Sequence, residues 1–327
     1  MEATPLRTDV STVSGHLPVM VSEVTTLLRP QAGTYFLDAT VGGGGHAAAI
    51  LAASAPQGRL LGIDRDESAL AVTTQRLRPF ADRFLLVHAN FSHAEAALAE
   101  VGWEGVDGLL LDLGFSSLQV EDAERGFSFL RSGPLDMRMD QQEERRAADI
   151  VNQASEGELR QIFHDLGEER AAGALARAVV RARSQAPLTT TTALVRIIEQ
   201  VVRNSSPSRL HSATRAFQAL RIAVNRELDH LTAFLREGYR WLRPGGRLVT
   251  LSYHSLEDRL VKEAFRRWAA TCLCPPLLQQ CLCGWSPQVR ILTPKPLTPT
   301  TAEVEANPRA RSARLRAVER CRGEAEQ

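Results

Sequence analysis

In Leu37-Asp38-Ala39-Thr40-Val41-Gly42-Gly43-Gly44-Gly45-His46 an apolar run ends in a carboxylate, followed closely by four consecutive glycines. Residues without a Cβ let the main chain approach a ligand closely and turn its N–H groups toward it. Gly42-x-Gly44-x-x-Ala47 fits the dinucleotide spacing G-x-G-x-x-G/A, although a plain tight turn in a doubly wound protein would use the same residues. Asp38 discriminates. Its carboxylate would repel a pyrophosphate and attract a ligand carrying positive charge, such as the ammonium and sulfonium of S-adenosylmethionine. Twenty residues after Gly44, Asp64 in Gly62-Ile63-Asp64-Arg65-Asp66 can accept hydrogen bonds from both hydroxyls of a ribose. A helix N-cap is the other use of an acid here, and Asp66 suits that better. Phe91, in His88-Ala89-Asn90-Phe91, can pack on an adenine or simply join the core.

Further on, Asp112-x-Gly114-x-Ser116-Ser117 offers a carboxylate and two hydroxyls that can accept hydrogen bonds from a substrate amino group. Covalent attack on a pyrimidine ring would need a thiolate, but all five cysteines lie at position 272 or beyond. Gly133-Pro134-Leu135-Asp136-Met137-Arg138-Met139-Asp140 reads as a loop bearing two more carboxylates. Cys272-x-Cys274-x6-Cys281-x-Cys283 supplies four soft ligands within twelve residues, enough for a tetrahedral structural zinc; free reduced thiols are the other reading. Two arginine-rich stretches, 196–226 and 307–322, carry six Arg each against one Glu each, and such patches make phosphate contacts that give affinity rather than sequence choice.

Elements must bring these residues together. Short apolar runs alternating with helical patterns in the first third are the mark of parallel strands joined by crossover helices. Strands are expected at 35–39, 59–64, 84–89 and 106–113, with helices near 47–53, 67–77 and 93–101. From 121 to 212 the strand pattern gives way to Ala, Arg and Glu with apolar residues such as Leu159, Ile162, Phe163 and Leu166 at helical spacing. A helix is expected over 214–242, a turn at Pro244-Gly245-Gly246, a strand at 247–253, a helix at 256–270 and a last strand at 289–293. The tail from Pro294 is expected to be extended. The sheet is thus interrupted once: 1–120 and 213–327 form one discontinuous domain, and 121–212 is a helical insertion.

The 327 residues carry a net charge of +1, with 44% hydrophobic and 24% charged residues, which excludes wholesale disorder and a purely electrostatic nucleic-acid binder. No run approaches the roughly 18 apolar residues of a membrane span, so no membrane partner and a cytoplasmic location are expected.

Seven segments taken in order carry a family resemblance. They are Gly-Gly-Gly-Gly-His at 42–46, Gly-Ile-Asp-Arg-Asp at 62–66, Leu-Leu-Leu-Asp-Leu-Gly at 109–114, Asp-Ala-Glu-Arg-Gly-Phe-Ser-Phe at 122–129, Gly-Pro-Leu-Asp-Met-Arg-Met-Asp at 133–140, Ser-Tyr-His-Ser-Leu-Glu-Asp-Arg at 252–259 and Asn-Pro-Arg-Ala-Arg-Ser at 307–312. From about His16 to Arg320 the chain resembles the bacterial small-subunit (16S) ribosomal RNA cytosine-N4 methyltransferases of the MraW/RsmH type. The resemblance implies an α/β class I (Rossmann-like) S-adenosylmethionine methyltransferase sheet with an inserted all-helical domain for substrate recognition. It also implies methyl transfer to a cytosine at the decoding site of small-subunit ribosomal RNA, carried within the small ribosomal subunit. Gly44, Gly45, His46, Asp64, Phe91, Asp112 and Gln119 match the family's cofactor contacts, and Asp112 with Asp136 is expected to accept the hydrogens of the cytosine amino group. Many members have Pro where Leu118 stands, next to Gln119, and many lack the cysteine cluster.

Overall fold

Strands β1 (Tyr35–Asp38), β2 (Arg59–Asp64), β3 (Phe84–His88), β4 (Val106–Asp112), β5 (Leu242–Ser252), β6 (Val289–Ile291) and β7 (Arg314–Arg320) form one sheet in the order β3-β2-β1-β4-β5-β7-β6. This computed structural model describes residues 18–202, 213–275 and 280–322. The first five strands are parallel, and β7 runs antiparallel between β5 and β6. Together with helices on both faces, this is the class I methyltransferase sheet expected from the resemblance.

Both faces of the central strands are covered, so their sequences are continuously apolar rather than alternating. Leu61, Ile63, Leu109 and Leu111 pack on one face with Phe234, Phe265 and Trp268. Leu60, Leu110 and Val249 point to the other, against Val24, Ile50 and Leu51. The period-2 geometry of a strand produces this division.

The first four strands lie within one residue of their expected bounds. Later elements differ. Pro244-Gly245-Gly246, expected as a turn before the fifth strand, lies inside β5 as a bulge: pairing with β4 steps from Val106↔Leu242 to Gly108↔Arg247. The single helix expected at 214–242 is two, Ala213–Asn225 and Glu227–Glu237, broken where Arg226 takes a left-handed φ of 49°. The tail contributes the helix Thr301–Ala306 and β7, neither of which was expected, and Val21–Leu28 is a further unexpected helix.

Between β4 and β5 the helices Ala147–Gln153, Glu156–Gln161, Ala172–Arg183 and Thr191–Val202 build a second apolar core around Ile150, Leu159, Phe163, Leu175 and Ile198. Residues 122–146 enter it largely as irregular chain rather than helix. Phe217, Leu220 and Val224 of the helix Ala213–Asn225 belong to this core as well, so its packing runs past the expected boundary at 212 and ends at the Arg226 break. Asn225 clips the two parts: its Nδ2 donates to the Met137 carbonyl at 2.7 Å and its Oδ1 accepts from the Met139 N–H at 2.8 Å.

Candidate functional site

Parallel strands direct their carboxyl ends to one edge of the sheet, and ligands of open α/β sheets bind there. At that edge lies a cavity of about 470 Å³, lined among others by Gly42, Asp64, Phe91, Asp112, Phe115 and Gln119. Four residues chosen from sequence as cofactor contacts, Asp64, Phe91, Asp112 and Gln119, therefore meet on one surface, although they span 56 positions of chain.

The glycine loop is shaped from behind. Asp64 Oδ2 accepts from the Gly42 N–H at 2.7 Å and its Oδ1 from the Asp66 N–H at 2.8 Å. Burial pushes the Asp64 carboxyl above its ordinary range, against those two hydrogen bonds. Thr73 Oγ1 donates to the Gly42 carbonyl at 2.5 Å. Gly44 has φ +75°, and a Cβ there would stand 2.9 Å from Thr73 Cγ2, so only glycine permits this approach. Gly44, Gly45 and His46 sit behind the cavity rather than on its lining.

Asp38 and His46 are buried beside this loop. Among the described residues, Asp38 Oδ2 and both ring nitrogens of His46 lack a hydrogen-bond partner, and His46 Nε2 is 3.4 Å from Asp112 Oδ2. Burial pushes the Asp38 carboxyl up to about 7, with the nearby His46 and the Thr40 N–H pulling the other way and Asp112 and Asp64 adding to the rise. Buried polar atoms without partners are costly, and such a group marks a place prepared for a polar ligand.

Asp112 ends β4. Its Oδ1 accepts from the Tyr253 hydroxyl at 2.8 Å, and its own N–H donates to Thr40 Oγ1 at 2.7 Å. Burial and the Asp112 charge raise the Tyr253 phenol well above its ordinary range, so the tyrosine stays a donor. Three residues on, Phe115 is 46% exposed on the cavity lining, with the Arg221 guanidinium 4.7 Å from its ring centre. Gln119 is tied by Ser116 in a capping box and donates from Nε2 to Asp66 Oδ2 at 2.8 Å. Asp66 is also the N-cap of its helix, accepting from the Ser68 N–H. Phe91 packs edge-on against Phe234.

Asp136 is placed differently. It is not on the cavity lining, and both carboxylate oxygens are held by Arg138, Oδ1 by Nε at 2.8 Å and Oδ2 by Nη2 at 2.7 Å. Partial burial pushes this carboxyl up, but the Arg138 bonds and charge outweigh it and hold it below the ordinary range. The structure thus places Asp136, an expected acceptor for the base, in a loop-organising pair with Arg138 and off the cavity lining.

Residues 13–321 match the model of the MraW methylase family. The chain belongs to this family. It is 51% identical over 306 residues to the "Ribosomal RNA small subunit methyltransferase H" of Geobacter sulfurreducens, covering 93% of this chain and 98% of that one. The protein of the same name from Syntrophotalea carbinolica is likewise 51% identical with the same coverage. That from Thermomicrobium roseum is 50% identical, covering 93% of each chain.

In this MraW-family methylase the lining also holds Glu227, Tyr253, His254 and Glu257, to which the sequence alone assigned no individual role, together with Arg221 and Arg309 from the two arginine-rich stretches. Tyr253 and His254 follow β5, the next parallel strand beyond β4, and that position was the available signal. His254 caps the helix Ser255–Trp268 in a capping box with Glu257. Arg221 meets Glu227 through Nε and Nη2 at 2.9 and 3.0 Å.

The tail arginines divide. Arg309 reaches Ser117 Oγ and Glu121 at the cavity mouth, Arg311 is exposed, and Arg314 and Arg316 both bind Asp258. Arg320 donates to the carbonyls of Arg240 and Leu242. Phosphate contact from the whole stretch is therefore not available, because Arg316 is buried in an ion pair. In the first arginine-rich stretch, Arg203, Arg209 and His211 lie outside the described residues. No cysteine lines the cavity. No helix among the described residues is long and apolar enough to cross a membrane.

Proposed function

We propose that this MraW-family methylase transfers a methyl group from S-adenosylmethionine to the exocyclic N4 of a cytosine in the decoding region of 16S ribosomal RNA, acting in the cytoplasm on the small ribosomal subunit. The observation that carries this reading is the Asp112 carboxylate on the cavity lining, held by the Tyr253 hydroxyl with exposed Phe115 close in sequence. The relatives' name, which specifies small-subunit ribosomal RNA, supports the substrate. The helical part between β4 and β5 and the exposed arginines Arg196 and Arg311 supply the RNA-facing surface in this reading.

The residues fit the cofactor. Asp38 and His46 leave buried polar atoms without partners beside the glycine loop, as a ligand with an ammonium and a carboxylate requires. Asp64 retains acceptor capacity for ribose hydroxyls, and Phe91 lines the cavity at the end of β3. S-adenosylmethionine supplies a methyl carbon activated by its sulfonium. The protein's task is to present the nitrogen. A cytosine amino nitrogen is a poor nucleophile because its lone pair is delocalised into the ring. Asp112 accepts one amino hydrogen, favouring a pyramidal nitrogen with a localised pair, and takes the proton that nitrogen must release once it has been methylated. Tyr253 holds Oδ1 in place, so the carboxylate does not rotate away from the base. No thiolate is required, in keeping with a cavity free of cysteine.

Nucleoside mass analysis of small-subunit RNA from cells with and without the protein tests the assignment directly. N4-methylcytidine that depends on the protein is the expected result; a methyl on ring carbon 5 would overturn it.

Two measurements address the cofactor. Asp64→Ala should weaken S-adenosylmethionine binding by about 1.5–3 kcal/mol, the scale of hydrogen bonds to a charged acceptor, when titrated by calorimetry. Unchanged affinity would remove Asp64 from the ribose contact. With the Asp38 carboxyl raised to about 7 in the empty protein, a cationic ligand that favours its ionised form binds more tightly as pH rises, by roughly tenfold between about pH 6 and about pH 8. Asp38→Asn should flatten that dependence, and a slope that survives the substitution would assign it to another group.

A further inference from the structure

We propose that Cys272, Cys274, Cys281 and Cys283 form a structural zinc site that fastens the end of the helix Ser255–Trp268 to the β6 edge of the sheet. The cluster lies away from the methyl-transfer cavity, so this inference stands independently of the function proposed above.

Spacing makes the case. All four Sγ atoms lie within 4.8 Å of one another. Cys272 is 3.4 Å from Cys281 and 3.7 Å from Cys283, and Cys281 is 3.5 Å from Cys283. A disulfide would bring two sulfurs to about 2.05 Å. Four thiolates at about 2.3 Å from a tetrahedral zinc stand about 3.8 Å apart. The observed separations are close to the edges of that tetrahedron, and no pair is bonded.

The main chain around the sulfurs is arranged for negative charge. The Leu273 N–H donates to Cys283 Sγ at 3.4 Å, the Cys274 N–H to Cys272 Sγ at 3.3 Å, and the Leu282 N–H to Cys274 Sγ at 3.3 Å. Two of these three bonds cross from one Cys-x-Cys pair to the other. Gly284, at φ +59°, turns the chain after Cys283 so that the Trp285 N–H also meets that sulfur. N–H donors to ligand sulfur orient it and stabilise the thiolate, which is the usual outer shell of a thiolate metal site. A zinc ion would bind here with loss of the four thiol protons to solvent and no change of oxidation state.

What the site would hold in place is visible on either side of it. Trp285 Nε1 donates to the Ala270 carbonyl at 3.1 Å, and the Gln288 N–H to the Trp268 carbonyl at 2.8 Å, immediately before β6 begins at Val289. Among the described residues β6 is an edge strand paired with β7 alone, so the link to the helix is its second anchor.

Elemental analysis of full-length protein purified without chelator should find one zinc per chain. Cys272→Ser combined with Cys281→Ser should abolish it, and Cys321→Ser, outside the cluster, should not. If the double variant fails to fold, wild-type protein stripped by chelator and refilled with Co²⁺ should show the visible and near-ultraviolet absorption of tetrahedral thiolate coordination. Chelation should also raise amide exchange at Val289–Ile291 at least tenfold while leaving β1 and β2 unchanged. Freshly reduced protein that contains no metal and takes up none, a stoichiometric iron content, or a Cys272–Cys281 disulfide in protein kept under reducing conditions would each overturn the zinc assignment.

Discussion

Asp112→Asn protein is expected to transfer methyl groups to small ribosomal subunits about 10²–10⁴-fold more slowly than wild type in single-turnover experiments, the range associated with loss of a positioned acid–base group. The amide has nearly the shape of the carboxylate, and its oxygen can still accept from Tyr253, which now holds Oδ1 at 2.8 Å. It cannot take up a proton, however, and its N–H₂ would face the N–H₂ of the base. Calorimetry on the same variant separates the two roles open to Asp112. A large rate loss with cofactor affinity changed less than about tenfold assigns it to the base. Parallel losses in both would assign it to the cofactor alone, and a wild-type rate would remove it from the chemistry. Tyr253→Phe removes a single hydrogen bond, so its cost is smaller, about tenfold.

Asp258→Ala is expected to destabilise the protein by about 3–5 kcal/mol, because it leaves a buried guanidinium without its partner. Asp258 is buried and binds Arg316 at 2.6 and 3.2 Å and Arg314 at 2.9 Å. Arg316 is itself buried on β7, whereas Arg314 is half exposed and can turn to water. Replacing both Asp258 and Arg316 with apolar residues of similar size should recover most of the loss, since what destabilises is the unpaired charge. A denaturant midpoint for Asp258→Ala within about 0.5 kcal/mol of wild type would show the pair to be unimportant. The pH dependence follows the same linkage. Burial raises the Asp258 carboxyl, but the bonds from Arg316 and Arg314 outweigh it and keep it below its ordinary 3.8. Its contribution is therefore present above the unfolded value and disappears as acidification passes through the lower folded one.

Different kinds of information in the chain account for what could and could not be read beforehand. The runs around Leu61 and Leu110 announced strands because a parallel strand buried on two faces needs apolar residues throughout, a local property of composition. Asp38, Asp64 and Asp112 could be assigned to one ligand edge because parallel strands share a direction, so the last residue of each ends on the same side. The Cys-x-Cys pairs were visible as spacing, but their arrangement as four corners depends on how the chain folds back between them. β7 escaped notice because Arg314, Arg316 and Arg320 make its sequence look solvated. Their charges are answered by Asp258 and by the carbonyls of Arg240 and Leu242, between 56 and 80 positions away. Asp136 looked free for catalysis, and only the loop's conformation, with Met137 at φ 63°, brings Arg138 back onto it. Periodicity and strand direction are properties of neighbouring residues and so are written in the chain locally. Whether a charge is free for a substrate depends on whether the folded chain has already neutralised it, from two residues away as at Asp136 or from dozens away as at Arg316, and that was decided only by the tertiary structure.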